Sequence, residues 1–373
     1  MLCYCSYTYY VKKLCMAVAR SNQIDLSATP YYHCISRCVR RSYLYGKDPL
    51  TGKDYSYRKY WLVNRLKRMV KFFAIDICAY AVMSNHYHVV FHVNKELAKS
   101  WTAKEVFQRW GNVFPNDAAK YRSILDSNNG NYNVIEKQIE LWRKRLYDIS
   151  WFMRTINENI ARKCNVEDEC TGRFWEGRFK SQALCDSGAL LSAMAYVDLN
   201  PVRAGIAKTP ELSDFTSIQE RINKVKNYCK NQQEIDIQQA CSKAPQPIDL
   251  MKFKNKISSK TTKKIKKENH KNNTEKNKPT IDFTFEDYLK LVDETGRIIR
   301  QDKKGAISNS LKPILARLGM SSSGWLKMAN GVEKNFSYAV GMPGNIAKFG
   351  NNDVIRVRKG VGYSKNCYLK DTA

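Results

Sequence analysis

Between residues 75 and 93 the chain is almost continuously apolar, broken only by a short polar step. "DICAYAVMSN" and "HYHVVFHV" read as two β-strands joined at a tight Ser84-Asn85 turn. In the second strand a period of two places His86, His88, Val90 and His92 on one face, and Tyr87, Val89, Phe91 and Val93 on the other. The second set is apolar throughout and marks a core face. "ATPYYHCISRCVRR" (28–41) follows a proline into β-branched, aromatic and Cys residues and predicts a further strand. Helical spacing places Trp61, Leu62, Leu66, Met69 and Val70 on one stripe, and 97–111 is also expected to be helical. Over 137–163, Trp142, Leu146, Ile149, Met153, Ile156 and Ile160 step by four, three, four, three and four. That pattern predicts one long helix whose seam is a core face or a short coiled-coil contact. "GRFWEGRFKSQAL" (172–184) is aromatic and basic and reads as a β-ribbon. Asp186 or Ser187 can cap a helix over "SGALLSAMAYVDLN", which Pro201 stops.

The length of 373 residues exceeds one ordinary domain. Residues 1–27 are expected to be a leader, and Lys12 and Lys13 argue against a signal peptide within it. A catalytic block is expected over 28–240 and a Lys-rich linker over 241–280. Within the linker, 252–278 holds eleven lysines against two glutamates, a composition that cannot bury enough surface to fold by itself. A mainly helical C-terminal domain follows at 281–373. There Thr284 is a helix cap, and "SNSLKPILARLGMSSSGWLKMANG" outlines a helix-turn-helix or a plain helical hairpin.

The formal charge is +28, with 63 Lys plus Arg against 35 Asp plus Glu, and the excess persists outside the linker. Such an excess favours a polyanionic partner, because neutralising phosphates releases condensed counterions. None of the twelve cysteines forms a Cys-x-x-Cys pair, so no zinc-ribbon signature is present, and free thiols in a reducing compartment are expected. No stretch has the eighteen or more apolar residues of a membrane span.

Three of the chain's five histidines fall between residues 86 and 92. On a strand His86 and His88 stand about 6.5 Å apart, close enough to converge on one divalent ion, whereas His92 lies about 13 Å beyond His88. Satisfied core histidines are the alternative. Two imidazoles under-coordinate a metal, so a third ligand has to come from elsewhere. "AMAYVDLNPVRAG" (193–205) offers one: Tyr196 and Asn200 are four apart, on one helix face. The Asn200 carbonyl oxygen suits Mg²⁺ or Mn²⁺. A metal-polarised phosphodiester beside the Tyr196 hydroxyl is open to attack, giving a phosphotyrosine and a free sugar hydroxyl.

These blocks, "YYHCISR", "MSNHYHVVFHV", "GRFWEGRFKSQ" and "AYVDLNPVRAG", in this order, resemble the single-tyrosine HUH transposases, and among them the REP-associated tyrosine transposases. The resemblance spans about residues 28–215. It implies an α+β fold, an antiparallel sheet flanked by helices. It implies His86, His88 and Asn200 as ligands of a divalent cation, Mg²⁺ or Mn²⁺, with Tyr196 as nucleophile. It also implies single-stranded or hairpin DNA as substrate, a monomer or a homodimer, and a cytoplasmic, nucleoid-associated protein with no membrane partner. From their chemistry, Arg173, Arg178 and Lys180, set among Phe174, Trp175 and Phe179, suit phosphates and unpaired bases. Arg203 suits a phosphate near the scissile bond. Two other readings stand beside this one. A non-catalytic, domesticated hairpin-binding regulator would bind without cutting. A hydrolase using activated water would leave no protein–DNA link.

Overall fold

The computed structural model describes residues 23–39, 46, 52–231, 237–255, 279–299, 315, 318–349 and 359–369. The expected leader therefore lies almost wholly outside the described residues. So do most of the Lys-rich stretch and most of the first helix of the C-terminal pair.

The chain is a mixed α+β protein built on one five-stranded sheet. The strands are β1 (Tyr31–Arg37), β2 (Ile75–Val82), β3 (His86–Val93), β4 (Lys180–Leu184) and β5 (Ala339–Val340), in the order β2-β3-β1-β4-β5. The first four pair antiparallel; β5 pairs parallel to β4, so the sheet is not purely antiparallel as expected. Helices cover both faces. On one side Phe152 of the helix Ile149–Glu167 packs edge-on against Phe73 and Phe91, and Tyr87 donates to the Asn157 side chain at 2.7 Å. On the other, the helix Ser187–Asp198 lies against β2, β3 and β4. Double coverage explains why β2 and β3 read as almost unbroken apolar runs rather than alternating ones.

Three expected elements differ. The long helix over 137–163 is two, Glu136–Leu146 and Ile149–Glu167. Asp148 intervenes in extended conformation, and its carboxylate accepts from Ser150 N and Trp151 N, capping the second helix. The apolar seam runs across the break because both helices turn the same face to the core, and periodicity does not register a cap inside it. The stretch 97–111 also divides, at Trp101–Thr102, where Thr102 and Glu105 form a capping box. Finally, 172–184 is no β-ribbon. Only Lys180–Leu184 is strand, and the preceding residues are held by a bridge from Cys38 to Trp175 and by the Trp175 indole donating to Asn157 O at 2.8 Å. Phe174 and Phe179 are buried, so their aromatic character serves the core.

The C-terminal region packs on the same sheet. The helix Ser322–Asn335 lies against Ser187–Asp198, and β5 adds to β4. Two carboxylates clamp this contact. Asp186, the cap of Ser187–Asp198, accepts from Ala189 N, Tyr368 Oη and Met342 N. Asp198, fully buried, accepts from Ser217 Oγ, Ile218 N and Tyr288 Oη. Thr284 caps the helix Phe285–Ile299 as expected, its Oγ1 accepting from Asp287 N.

Candidate active site

Sheet register gathers the polar residues onto one face. In the β1–β3 pair Arg37 stands opposite His86 and Ile35 opposite His88; in the β1–β4 pair His33 stands opposite Gln182. Directly paired residues share a face, so His33, Arg37, His86, His88 and Gln182 all look toward the helix Ser187–Asp198. On β2 the residues opposite Val90 and His88 are Ala79 and Ala81, small enough to let that helix approach closely.

The helix brings Tyr196 down onto the imidazoles. Its ring lies 5.5 Å from that of His88 and 6.0 Å from that of His33, edge-on to both. His86 and His88 are themselves 4.8 Å apart, edge to face. Helical hydrogen bonding stops at Pro201, and Asn200 opens a short helix, Asn200–Arg203. Leu199 keeps right-handed dihedrals across the junction, so Asn200 stays one turn from Tyr196. Its amide nitrogen lies 3.2 Å from His88 Nε2. The four residues expected to form the centre, His86, His88, Tyr196 and Asn200, are thus side by side. His92 stands apart, on Asp76 at 3.1 Å and against the Tyr31 ring.

Burial governs the protonation states. His86 is pushed down to about 4, first by burial and then by the Arg37 charge. His88 is held well below the ordinary histidine range by burial, with His33 and His86 adding to the effect. Both imidazoles are neutral near pH 7, the form that binds a cation. His86 Nδ1 faces Asn85 Oδ1 at 2.6 Å, which places its proton there and leaves the Nε2 lone pair available. In kind these groups fit a divalent ion: two neutral Nε2 atoms and one amide, which presents oxygen to His88 when turned about its terminal bond. Among the described residues no group of three His, Cys, Asp or Glu side chains is arranged to hold a metal, so the amide is needed to complete the set.

Glu333, from the helix Ser322–Asn335, completes the site, and no motif pointed to it. The Tyr196 hydroxyl donates to its Oε2 at 2.6 Å, and Arg37 lies 3.9 Å from its other oxygen. Burial raises the phenol's pKa, and the Glu333 charge raises it further. Burial also acts to raise Glu333, but the Tyr196 hydrogen bond and the surrounding His33, His86 and Arg37 more than offset this and hold it ionised. His33 and Gln182 also face the site; they lie within the blocks "YYHCISR" and "GRFWEGRFKSQ", whose motifs give them no role.

Arg173, Arg178 and Lys180 are exposed. Arg173 and Arg178 line a cavity of about 670 Å³ with Arg154, Phe174, Trp175 and Phe179. Gly177 and Arg178 also line a smaller one of about 190 Å³, which reaches Arg37, Lys180 and Glu333. The two cavities share Gly177 and Arg178; the larger is walled by the helix Ile149–Glu167, and the smaller reaches the phenol's partner. Arg203 is engaged otherwise: its guanidinium lies 4.8 Å over the Tyr196 ring and donates to Ala329 O and Asn330 O.

No described protein family matches the chain, and no curated protein does. Among solved structures it is similar to that of a REP-associated tyrosine transposase bound to a REP hairpin. The identity is 15%, the TM-score 0.32, and the alignment covers 52% of this chain and 80% of the other. So slight an overlap has no bearing on the site, whose reading rests on the chain's own residues. Among the described residues no helix is long and apolar enough to cross a membrane.

Proposed function

We propose that the chain is a metal-dependent DNA strand transferase that breaks and rejoins single-stranded DNA beside a hairpin, with Tyr196 as nucleophile. The observation that carries this is the convergence on His88: the Tyr196 ring lies edge-on at 5.5 Å, and the Asn200 amide nitrogen lies 3.2 Å from Nε2. A phosphate held at the two imidazoles would lie against the phenol. His86, His88 and Asn200 would hold Mg²⁺ or Mn²⁺, which supplies charge stabilisation to a phosphoryl oxygen. The chain's own residues do the rest. The Tyr196 oxygen bonds to phosphorus, the bond from phosphorus to the leaving sugar oxygen breaks, and the phenolic proton departs along its hydrogen bond to Glu333. The leaving sugar oxygen takes up a proton from water, so the products are a 5′-phosphotyrosine and a sugar hydroxyl, and the reverse step rejoins the strand. The exposed Arg173, Arg178 and Lys180 hold the unpaired strand. Arg203, over the Tyr196 ring and bonded to Ala329 O and Asn330 O, ties the C-terminal helix to the nucleophile.

Tyr196→Phe on a labelled single-stranded hairpin oligonucleotide tests the reading. Loss of the protein–DNA adduct on a denaturing gel, with hairpin binding retained, is the expected result. An adduct that survives the substitution removes Tyr196 from the chemistry. A binding-only protein is favoured by one observation: Tyr196 is only 8% exposed and its hydroxyl is occupied. That reading requires hairpin binding indifferent to chelator and no adduct in the unsubstituted chain.

A further inference from the structure

We infer that His33 and Gln182 are positioning residues that set which ring nitrogen of His88 carries the proton, and that the helix Ser322–Asn335 anchors them. The inference rests on the proposed reading of His88 as a cation ligand, but its central claim concerns the protein before any ion binds.

One chain of donors and acceptors runs from the C-terminal helix to His88. Gln182 is 5% exposed, and its Nε2 lies 2.9 Å from Val332 O and 3.3 Å from Phe336 O. Carbonyl oxygens only accept, so the amide cannot be turned the other way without setting its oxygen against two others. Gln182 Oε1 therefore faces His33 Nδ1, at 3.0 Å, as an acceptor. That contact puts the His33 proton on Nδ1. His33 is fully buried with the neutral Gln182 amide on its Nδ1, so the ring holds a single proton and its Nε2 carries a lone pair. His88 Nδ1 lies 3.0 Å from that lone pair and has to be the donor. The two rings lie almost parallel, 13° apart in plane with centroids 5.2 Å apart, a spacing that fits two imidazoles joined through their ring nitrogens. The end of the chain is His88 Nε2, unprotonated and aimed at Asn200.

A histidine in water favours the proton on Nε2, the tautomer that would block this site. The Gln182–His33 pair reverses that preference. Sheet register builds the chain: His33 and Gln182 are directly opposed on β1 and β4, while His88, opposite Ile35, is the diagonal neighbour of His33. The carbonyls that orient Gln182 belong to the C-terminal helix and the residue after it, so a segment distant in sequence decides the state of a β-strand histidine. Outer partners of this sort orient a ligand ring and raise its basicity, and removing one typically weakens metal affinity by roughly 10–100-fold.

The test uses the full chain with ¹⁵N-labelled histidine, only five residues in all. Long-range ¹H–¹⁵N spectra of the metal-free protein should show His88 with Nδ1 protonated and Nε2 bare; a protonated Nε2 overturns the inference without need of any variant. His33→Phe keeps the ring volume and removes the acceptor. It should give a mixed or reversed His88 tautomer and weaken Mn²⁺ binding by roughly 10–100-fold. His33→Gln, which can accept from His88 and donate to Gln182, should restore both. An unchanged tautomer in a folded His33→Phe protein overturns the inference. Should the unsubstituted chain show the stated tautomer yet bind no Mn²⁺, the positioning chain stands and the metal reading falls.

Discussion

The hydroxyl of Tyr196 donates to Oε2 of Glu333 at 2.6 Å, across 137 residues of sequence. A phenol on the helix packed over the sheet and a carboxylate on a C-terminal helix thus share one proton. If Glu333 accepts that proton as the phenol attacks, Glu333→Gln should slow adduct formation by about 10²–10⁴-fold, the usual span for a positioned base. Hairpin binding should be unchanged. Single-turnover adduct kinetics decide the matter: a rate equal to or above that of the unsubstituted chain would show that the carboxylate restrains the phenol instead.

His86 has its pKa pushed down to about 4 by burial and by Arg37. Protons therefore compete with a cation at this imidazole only in acid. Mn²⁺ affinity, titrated by calorimetry or spin resonance, should be flat from pH 8 to about pH 5.5 and fall below that. A midpoint near 6.5, as for a solvated histidine, would count against His86 as a buried ligand.

Asp198 is fully buried and its pKa is raised to about 6, by burial first, against the opposing pull of its Ser217 and Tyr288 hydrogen bonds. A carboxyl whose folded-state pKa exceeds its unfolded value near 3.9 binds more protons folded than unfolded between those two pH values. Its contribution to stability is fully present below about pH 4 and is lost as pH rises to about 6, on the order of 2–3 kcal/mol in total. Asp198→Asn should flatten that component in thermal melts taken from pH 4 to 7. An identical melting profile for the variant would refute the assignment.

Tyr288 donates to Asp198 Oδ2 at 2.6 Å from the helix Phe285–Ile299. Tyr288→Phe preserves the ring and strands a buried carboxyl oxygen, which should cost about 1–3 kcal/mol. Chemical denaturation of the full chain measures this. No change in the midpoint would mean that water replaces the hydroxyl.

Arg178 lines both cavities, the smaller of which reaches Glu333. Arg178→Ala should weaken binding of single strands of any sequence and reduce the slope of log K against log salt by about 0.7, one phosphate contact on a single strand. Fluorescence anisotropy at several salt concentrations reads this directly, and an unaltered slope would place the strand elsewhere.

Period and punctuation in the sequence determined a good deal. The strands at 75–82 and 86–93, the face carrying His86 and His88, the Asp186 and Thr284 caps, and the four-residue step from Tyr196 to Asn200 all follow from local geometry. Where the apolar seam at 137–163 ran on through a cap, and where buried aromatics at 172–179 imitated a ribbon, the same local rules misled, because both features answer to the core rather than to their neighbours in sequence. Tertiary structure alone decided that the imidazole face and the tyrosine helix meet. It alone brought Glu333 to the phenol and the Val332 and Phe336 carbonyls to Gln182. Glu333 is one of 35 acidic residues with no spacing to single it out. Its partner is chosen by the packing of the helix Ser322–Asn335 on Ser187–Asp198 and by β5 joining β4, contacts between segments some 140 residues apart that no periodicity encodes.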